Sequence, residues 1–149
     1  SRYRHDDARF AGNARARFCE VGGKIKRGRQ VKWFHEDEFR CQHCGSLAGM
    51  DWDFAKEVDE LRDHVGFPLI LSSAWRCPEH PTEKKKEKPG AHVTGRAVDI
   101  AVTGEQAIEV LRHALAMGFD RIGVQQKGSG RFIHLDKAIG FPSPAIWSY

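Results

Sequence analysis

Two short segments, Arg96-Ala-Val-Asp-Ile-Ala-Val102 and Phe132-Ile-His-Leu-Asp136, alternate with a period of two, and this restricts the fold more than any other feature of the chain. A strand sends successive side chains to opposite faces. Val98, Ile100 and Val102 therefore share one face and Ala97, Asp99 and Ala101 the other. In the second segment Ile133 and Leu135 point to a core, while His134 and Asp136 point together away from it. An acidic residue on such a strand needs a partner or a task. If the two strands are neighbours, His92, Asp99, His134 and Asp136 converge on one open surface.

The segments between them carry other periods. Phe54, Val58, Leu61 and Val65 recur at helical spacing and predict a helix over 51–65, closed by Gly66 and Pro68. Phe34–Phe39 reads as a short helical turn leading into a CxxC turn at Cys41–Gly45, and Pro68–Ser73 as a buried strand. Residues 77–90, rich in Pro and Lys, read as an exposed, mobile loop. Thr103-Gly-Glu-Gln106 reads as a capping box opening a second helix, with Ala107, Ile108, Leu111, Ala114 and Leu115 inward and its end at Gly118. Phe119–Val124 and Arg131–Asp136 read as strands joined by a turn at Gly128-Ser-Gly130, and the tail from Phe141 to Tyr149 as irregular. Trp52 and Trp75 read as core, and Trp147 and Tyr149 as a packed aromatic tail or the wall of a groove. No regular βαβ rhythm appears. The expectation is an α+β domain, a small and mainly antiparallel sheet with helices packed on one face.

A chain of 149 residues suffices for one such domain with a real core. No apolar run approaches bilayer length, and no stretch reads as a secretory signal. The net charge of +4 is unevenly spread: residues 1–32 hold ten Lys/Arg and three Asp/Glu, so the remainder is acidic. The expected organisation is a basic arm over 1–32, extended or partly ordered, ahead of a domain over 33–149. The arm reads first as solvated chain. Its alternative is attraction to a polyanion such as nucleic acid or an anionic wall polymer; the first reading is favoured because no aromatic-interleaved nucleic-acid motif accompanies the charge. Four cysteines are too few for a disulfide scaffold. Cys41 and Cys44 form a CxxC without a second CxxC. Together with Cys77 they read as ordinary thiols, a disulfide, or a small metal knot with a histidine.

Two imidazoles and a carboxylate suit a catalytic zinc ion, because three protein ligands leave a fourth position for water. Zinc lowers the pKa of such a water to roughly 7 and polarises a carbonyl under attack. His5, His35, His43, His64, His80 and His113 carry no comparable pattern and read as non-ligands.

The pattern His92-x-x-Gly95-x-Ala97-x-Asp99, followed by His134-x-Asp136, resembles the zinc D-alanyl-D-alanine carboxypeptidase family, whose fold is shared with the hedgehog signalling domain. Ser73-Ala-Trp-Arg76 resembles the family's Ser-x-x-Arg turn, Phe39-Arg-Cys41-Gln-His-Cys44-Gly45 a cysteine turn of phage-type members, and Gly118–Gly123 the strand before the last ligand. The resemblance spans about residues 33–149. It implies His92, Asp99 and His134 as zinc ligands and Arg76 as the residue that binds a substrate carbonyl or carboxylate. Asp136 is the candidate for orienting or deprotonating the attacking water, or for supporting a ligand. Three positions depart from the family: Arg131 stands where relatives carry a general base, Gly90 where they often carry serine, and Pro81 where they often carry asparagine.

The function so implied is zinc-dependent hydrolysis of peptidoglycan stem peptides or cross-links, as a carboxypeptidase or an endopeptidase. Such a protein acts as a monomer at the cell wall, whether in the periplasm, outside the cell or in a phage virion or lysate. The alternative is a zinc-containing binding module of the same fold that lacks catalysis, and Arg131 is its main support.

Overall fold

The computed structural model describes residues 31–149 and, ahead of them, two paired two-residue strands, β1 (Glu20–Val21) and β2 (Lys24–Ile25). The remainder of the basic arm expected over 1–32 lies outside the described residues. Val31, at the start of the continuous described segment, is buried in the core. The next three backbone N–H groups, of Lys32, Trp33 and Phe34, all donate to the Asp59 carboxylate at 2.7–3.2 Å. One helix side chain thereby satisfies the donors of a segment that pairs with no strand among the described residues.

Helix α1 (Trp52–Val65) starts where the Asp51 carboxylate accepts the N–H groups of Asp53 and Phe54, and it stops at Gly66 with φ 75°. Phe54, Val58 and Leu61 are its fully buried stripe. Strand β3 (Leu71–Ser73) follows, then the one-turn helix α2 (Pro81–Lys84) and a 3-10 turn at Ala91–Thr94. Strand β4 (Ala97–Ile100) leads to helix α3 (Gly104–Ala116), and β5 (Arg121–Gln125), β6 (Phe132–Asp136) and β7 (Ala145–Ser148) complete the chain. The sheet order is β3-β4-β6-β5-β7, antiparallel except for the parallel β5/β7 pair.

The register makes the two faces of the sheet different. Val98, Leu135 and Ile122 are aligned across β4, β6 and β5, as are Ile100, Ile133 and Val124. These rows join one apolar core with Phe54, Val58 and Leu61 of α1 and Val110 and Ala114 of α3. Phe119 meets Phe54 edge to face at 6.1 Å between ring centres. The fold is therefore the expected α+β arrangement with helices on one face of a small, mainly antiparallel sheet.

Several local expectations give way. α3 buries Ala107, Val110 and Ala114, whereas Ile108 and Leu115 are more than half exposed. The apolar residues of that helix occupy more than one stripe; Leu111 packs partly buried beside the buried one, and Ile108 and Leu115 lie outside it. Thr103 begins α3 but makes no side-chain capping bond, so the capping box is absent. The 77–90 segment contains α2 and a buried glutamate, Glu83. The tail forms β7, because the exposed edge of β5 offers main-chain partners to any extended neighbour.

Candidate metal centre

Across the face opposite the helices, the register aligns Ser73, Asp99, His134, Gly123 and Trp147 in one row over five strands. The adjacent row is Ala97, Asp136, Arg121 and Ala145. His92 joins from the 3-10 turn, where Gly95 at φ 77° reverses the chain. A side chain at Gly95 would strike the Gly49 carbonyl, since a Cβ there would lie 1.9 Å from that oxygen.

The potential ligand atoms of His92, Asp99 and His134 lie within 4.8 Å of one another. His92 Nε2 is 3.3 Å and His134 Nδ1 2.8 Å from the same Asp99 oxygen, Oδ1. The other nitrogen of each imidazole is engaged elsewhere. His92 Nδ1 lies 2.6 Å from the Ala74 carbonyl, to which it can only donate, and this leaves Nε2 as a lone-pair donor. His134 Nε2 lies 2.6 Å from Asp136 Oδ2. Asp136 is itself fixed: its Oδ1 accepts from Arg121 Nε at 2.6 Å and from the Ala138 N–H at 3.1 Å, and it is fully buried.

The electrostatics favour positive charge at this point. Burial would raise the Asp99 carboxyl, but hydrogen bonds and charge from His134 and His92 hold it well below the usual carboxylate range. Burial would lower the His134 imidazole, yet bonds to Asp136 and Asp99 raise it. For Asp136 burial again raises, and His134, Arg121 and the Ala138 N–H more than offset it. Two nitrogens and a carboxylate oxygen converge, with each histidine oriented by an acceptor behind it. This is the donor set and support that a zinc ion takes.

Arg76 lies beside the cluster. Its Nη2 donates to Asp99 Oδ2 at 3.3 Å, its Nη1 to Glu83 Oε1 at 3.1 Å and its Nε to Ser73 Oγ at 2.9 Å. Glu83 went unnoticed in the sequence, within a stretch dominated by Pro and Lys. Its local signal is His80-Pro81-Thr-Glu83, a cap with proline at the first helical position and an acid in the first turn. Burial would raise Glu83, but Lys86, the Gly90 N–H and Arg76 bring it down to about 2.

The four residues His92, Asp99, His134 and Asp136 thus come together, but the surface they form is covered rather than open: all four are buried. Trp147 lies over His134 with ring centres 5.2 Å apart, and Tyr149 meets Phe132 at 5.0 Å. Arg121 stacks on both Trp147 and Phe141 and reaches the Pro142 carbonyl. Gly123 makes this lid fit, because a Cβ there would lie 2.7–2.8 Å from Trp147 and Tyr149. Neither Arg121 nor Gly123 was visible as a site residue in the sequence; only the register puts them opposite Asp136 and His134. Arg131 is exposed, bonds the Gly128 carbonyl and precedes β6.

A small α+β domain with this donor set on the free face of its sheet is of the metallopeptidase class. Residues 32–136 match the family model Peptidase M15, and the chain belongs to this family of zinc-dependent, D-alanyl-D-alanine carboxypeptidase-like peptidases. No curated protein and no solved structure matches it. Among the described residues no helix is long and apolar enough to cross a membrane.

Proposed function

We propose that the protein is a zinc peptidase that hydrolyses peptide bonds in bacterial peptidoglycan, with the metal held by His92, Asp99 and His134. The observation that carries this reading is the convergence of His92 Nε2 and His134 Nδ1 on one oxygen of Asp99. Bound there, zinc would supply Lewis acidity toward a peptide carbonyl and a nucleophilic water near neutral pH. The chain's own residues do the positioning. Asp136, clamped by Arg121, sets the orientation and basicity of His134; an anion already paired and buried in this way suits support of a ligand better than abstraction of a proton. Ala74 does the same for His92 through its carbonyl. Arg76 brings a guanidinium to the edge of the site, where it can take a substrate carboxylate or the charge that develops on a carbonyl oxygen. Glu83 holds that guanidinium in place. Trp147 and Tyr149 form the apolar wall past which the substrate approaches.

The cell wall, outside the cytoplasm or at a phage particle, is the place of action that fits this substrate, and the basic arm would prolong contact with anionic wall polymer. The exposed position of Arg131, with no acidic group in its place, favours a second reading in which the domain binds wall peptides without cutting them. One experiment separates the two. Zinc-loaded protein is incubated with purified peptidoglycan, and the released fragments are identified by mass spectrometry. The expected result is peptide cleavage that is lost on chelation and in His92→Ala. Cleavage that survives both refutes the zinc mechanism. Metal-loaded but inert protein across several wall types establishes the binding module instead.

A further inference from the structure

A second group of metal-ligating atoms lies outside this site. The sulfurs of Cys41, Cys44 and Cys77 are within 4.8 Å of one another, and all three are free thiols. They come from two segments of distant sequence. The first is Cys41-Gln-His-Cys44-Gly45, a tight turn closed by Gly45 N–H to Cys41 O at 2.8 Å, with Gly45 at φ 71°. That backbone aims both sulfurs of the CxxC to one side. The second is the turn after β3, in which the Cys77 N–H donates to the Cys41 sulfur at 3.3 Å. An N–H directed at a sulfur stabilises it as a thiolate. Cys41 and Cys77 are buried, and Cys44 opens to solvent, giving an ion a way in.

Three residues past Cys77 stands His80. Its amide bonds the Cys77 carbonyl at 3.0 Å, and its ring faces His43 at 6.2 Å between centres. His80 Nδ1 accepts the Thr82 N–H as the cap of α2, so Nε2 is the nitrogen left to coordinate. Read together, the segments are Cys-x2-Cys and Cys-x2-His, the ligand count and spacing of a closed structural zinc site. A disulfide would join two of the three sulfurs and strand the third; an ion uses them all.

We propose that Cys41, Cys44 and Cys77, completed by His80, bind a second, structural zinc ion. Binding displaces the thiol protons to solvent, and the free energy of coordination adds to that of folding. The ion staples the Cys41–Gly45 turn to the segment that carries Arg76. The Arg76 N–H bonds the His92 carbonyl at 3.2 Å, so the staple also fixes the approach to the first site. His80 carries no ligand pattern in the sequence; the fold ties its backbone amide to the Cys77 carbonyl.

The test uses the full chain, purified under reducing conditions and reconstituted with Zn2+. Elemental analysis is expected to give two zinc ions per chain, and one in a His92→Ala/His134→Ala variant. X-ray absorption of that variant should show a sulfur-dominated shell at about 2.3 Å, and chelation should lower its Tm. Cys44→Ser, an exposed substitution, should remove one zinc from the otherwise intact protein and leave an ion with only nitrogen and oxygen neighbours. His80→Ala should weaken zinc at the thiol site by at least about tenfold; unchanged affinity there overturns the part given to His80. A single zinc in the wild type that disappears with His92 and His134, a sulfur-free shell, or a native disulfide among these cysteines refutes the site. The readout does not depend on peptidase activity, so its failure leaves the reading of the first site untouched.

Discussion

Asp136 is two residues beyond His134 and fifteen beyond Arg121, and its two oxygens divide between them. On the proposed function, such a carboxylate supports a ligand rather than the metal. Asp136→Asn keeps the shape and removes the charge, so zinc affinity at the His92/Asp99/His134 site should fall about 10–100-fold, as for other outer partners of metal ligands. Competition with a chromophoric chelator measures this, and unchanged affinity would show that His134 needs no carboxylate behind it. Gly123 illustrates the same scale from the other side. Its role is to be small, because the rings of Trp147 and Tyr149 occupy the place of its side chain. A glycine in an alternating strand gives no hint of what will lie over it.

At the scale of elements, α2 matters more than its single turn suggests. It delivers Glu83 to Arg76, and Glu83 also accepts the Gly90 N–H at 2.9 Å and Lys86 Nζ at 2.9 Å. The ionised form is therefore the one that holds the segment before His92. A group whose folded pKa lies below its unfolded value contributes stability above the unfolded pKa and loses it as pH falls through the folded one. For Glu83 the window runs from the ordinary glutamate value of 4.5 down to about 2. The full contribution is of the order of 3 kcal/mol, at 1.36 kcal/mol per unit. Denaturant unfolding between pH 5 and about 2 should show the wild type losing stability more steeply than Glu83→Gln, with the variant already weaker at pH 5. Parallel slopes would place the acid sensitivity in other carboxylates. The segment reads as a loop because its lysines and prolines outnumber its apolar residues, and one buried acid cannot change that average. β7 escaped for a related reason: its pairing is set by an open edge on β5 rather than by its own alternation.

For the whole molecule, Asp59 gathers the N–H groups of residues 32–34 against α1. Removing residues 1–30 leaves that clamp whole. Thermal stability should stay within about 0.5 kcal/mol of the full chain, while retention on purified cell walls at low salt should fall. The difference should vanish as the Debye length shrinks toward about 8 Å at physiological ionic strength. Equal retention at low salt would remove the arm from wall binding.

What the sequence determined by itself was the two faces of the sheet and the residues on each. A period of two is a local property, so Asp99 and His134 could be assigned to the side away from Val98, Ile100, Ile133 and Leu135 without knowing their neighbours. The spacing of His92 from Asp99, with Gly95 between, is equally local. The tertiary structure alone decided which strands lie side by side, and in what register. Through that it decided that Arg121 answers Asp136, that Trp147 covers His134, that Glu83 holds Arg76, and that Cys77 meets a CxxC more than thirty residues earlier. These pairings depend on chain segments that approach only when the apolar face of the sheet is buried against α1 and α3. The physical information that fixes them is spread over the whole core and not written near the residues it brings together.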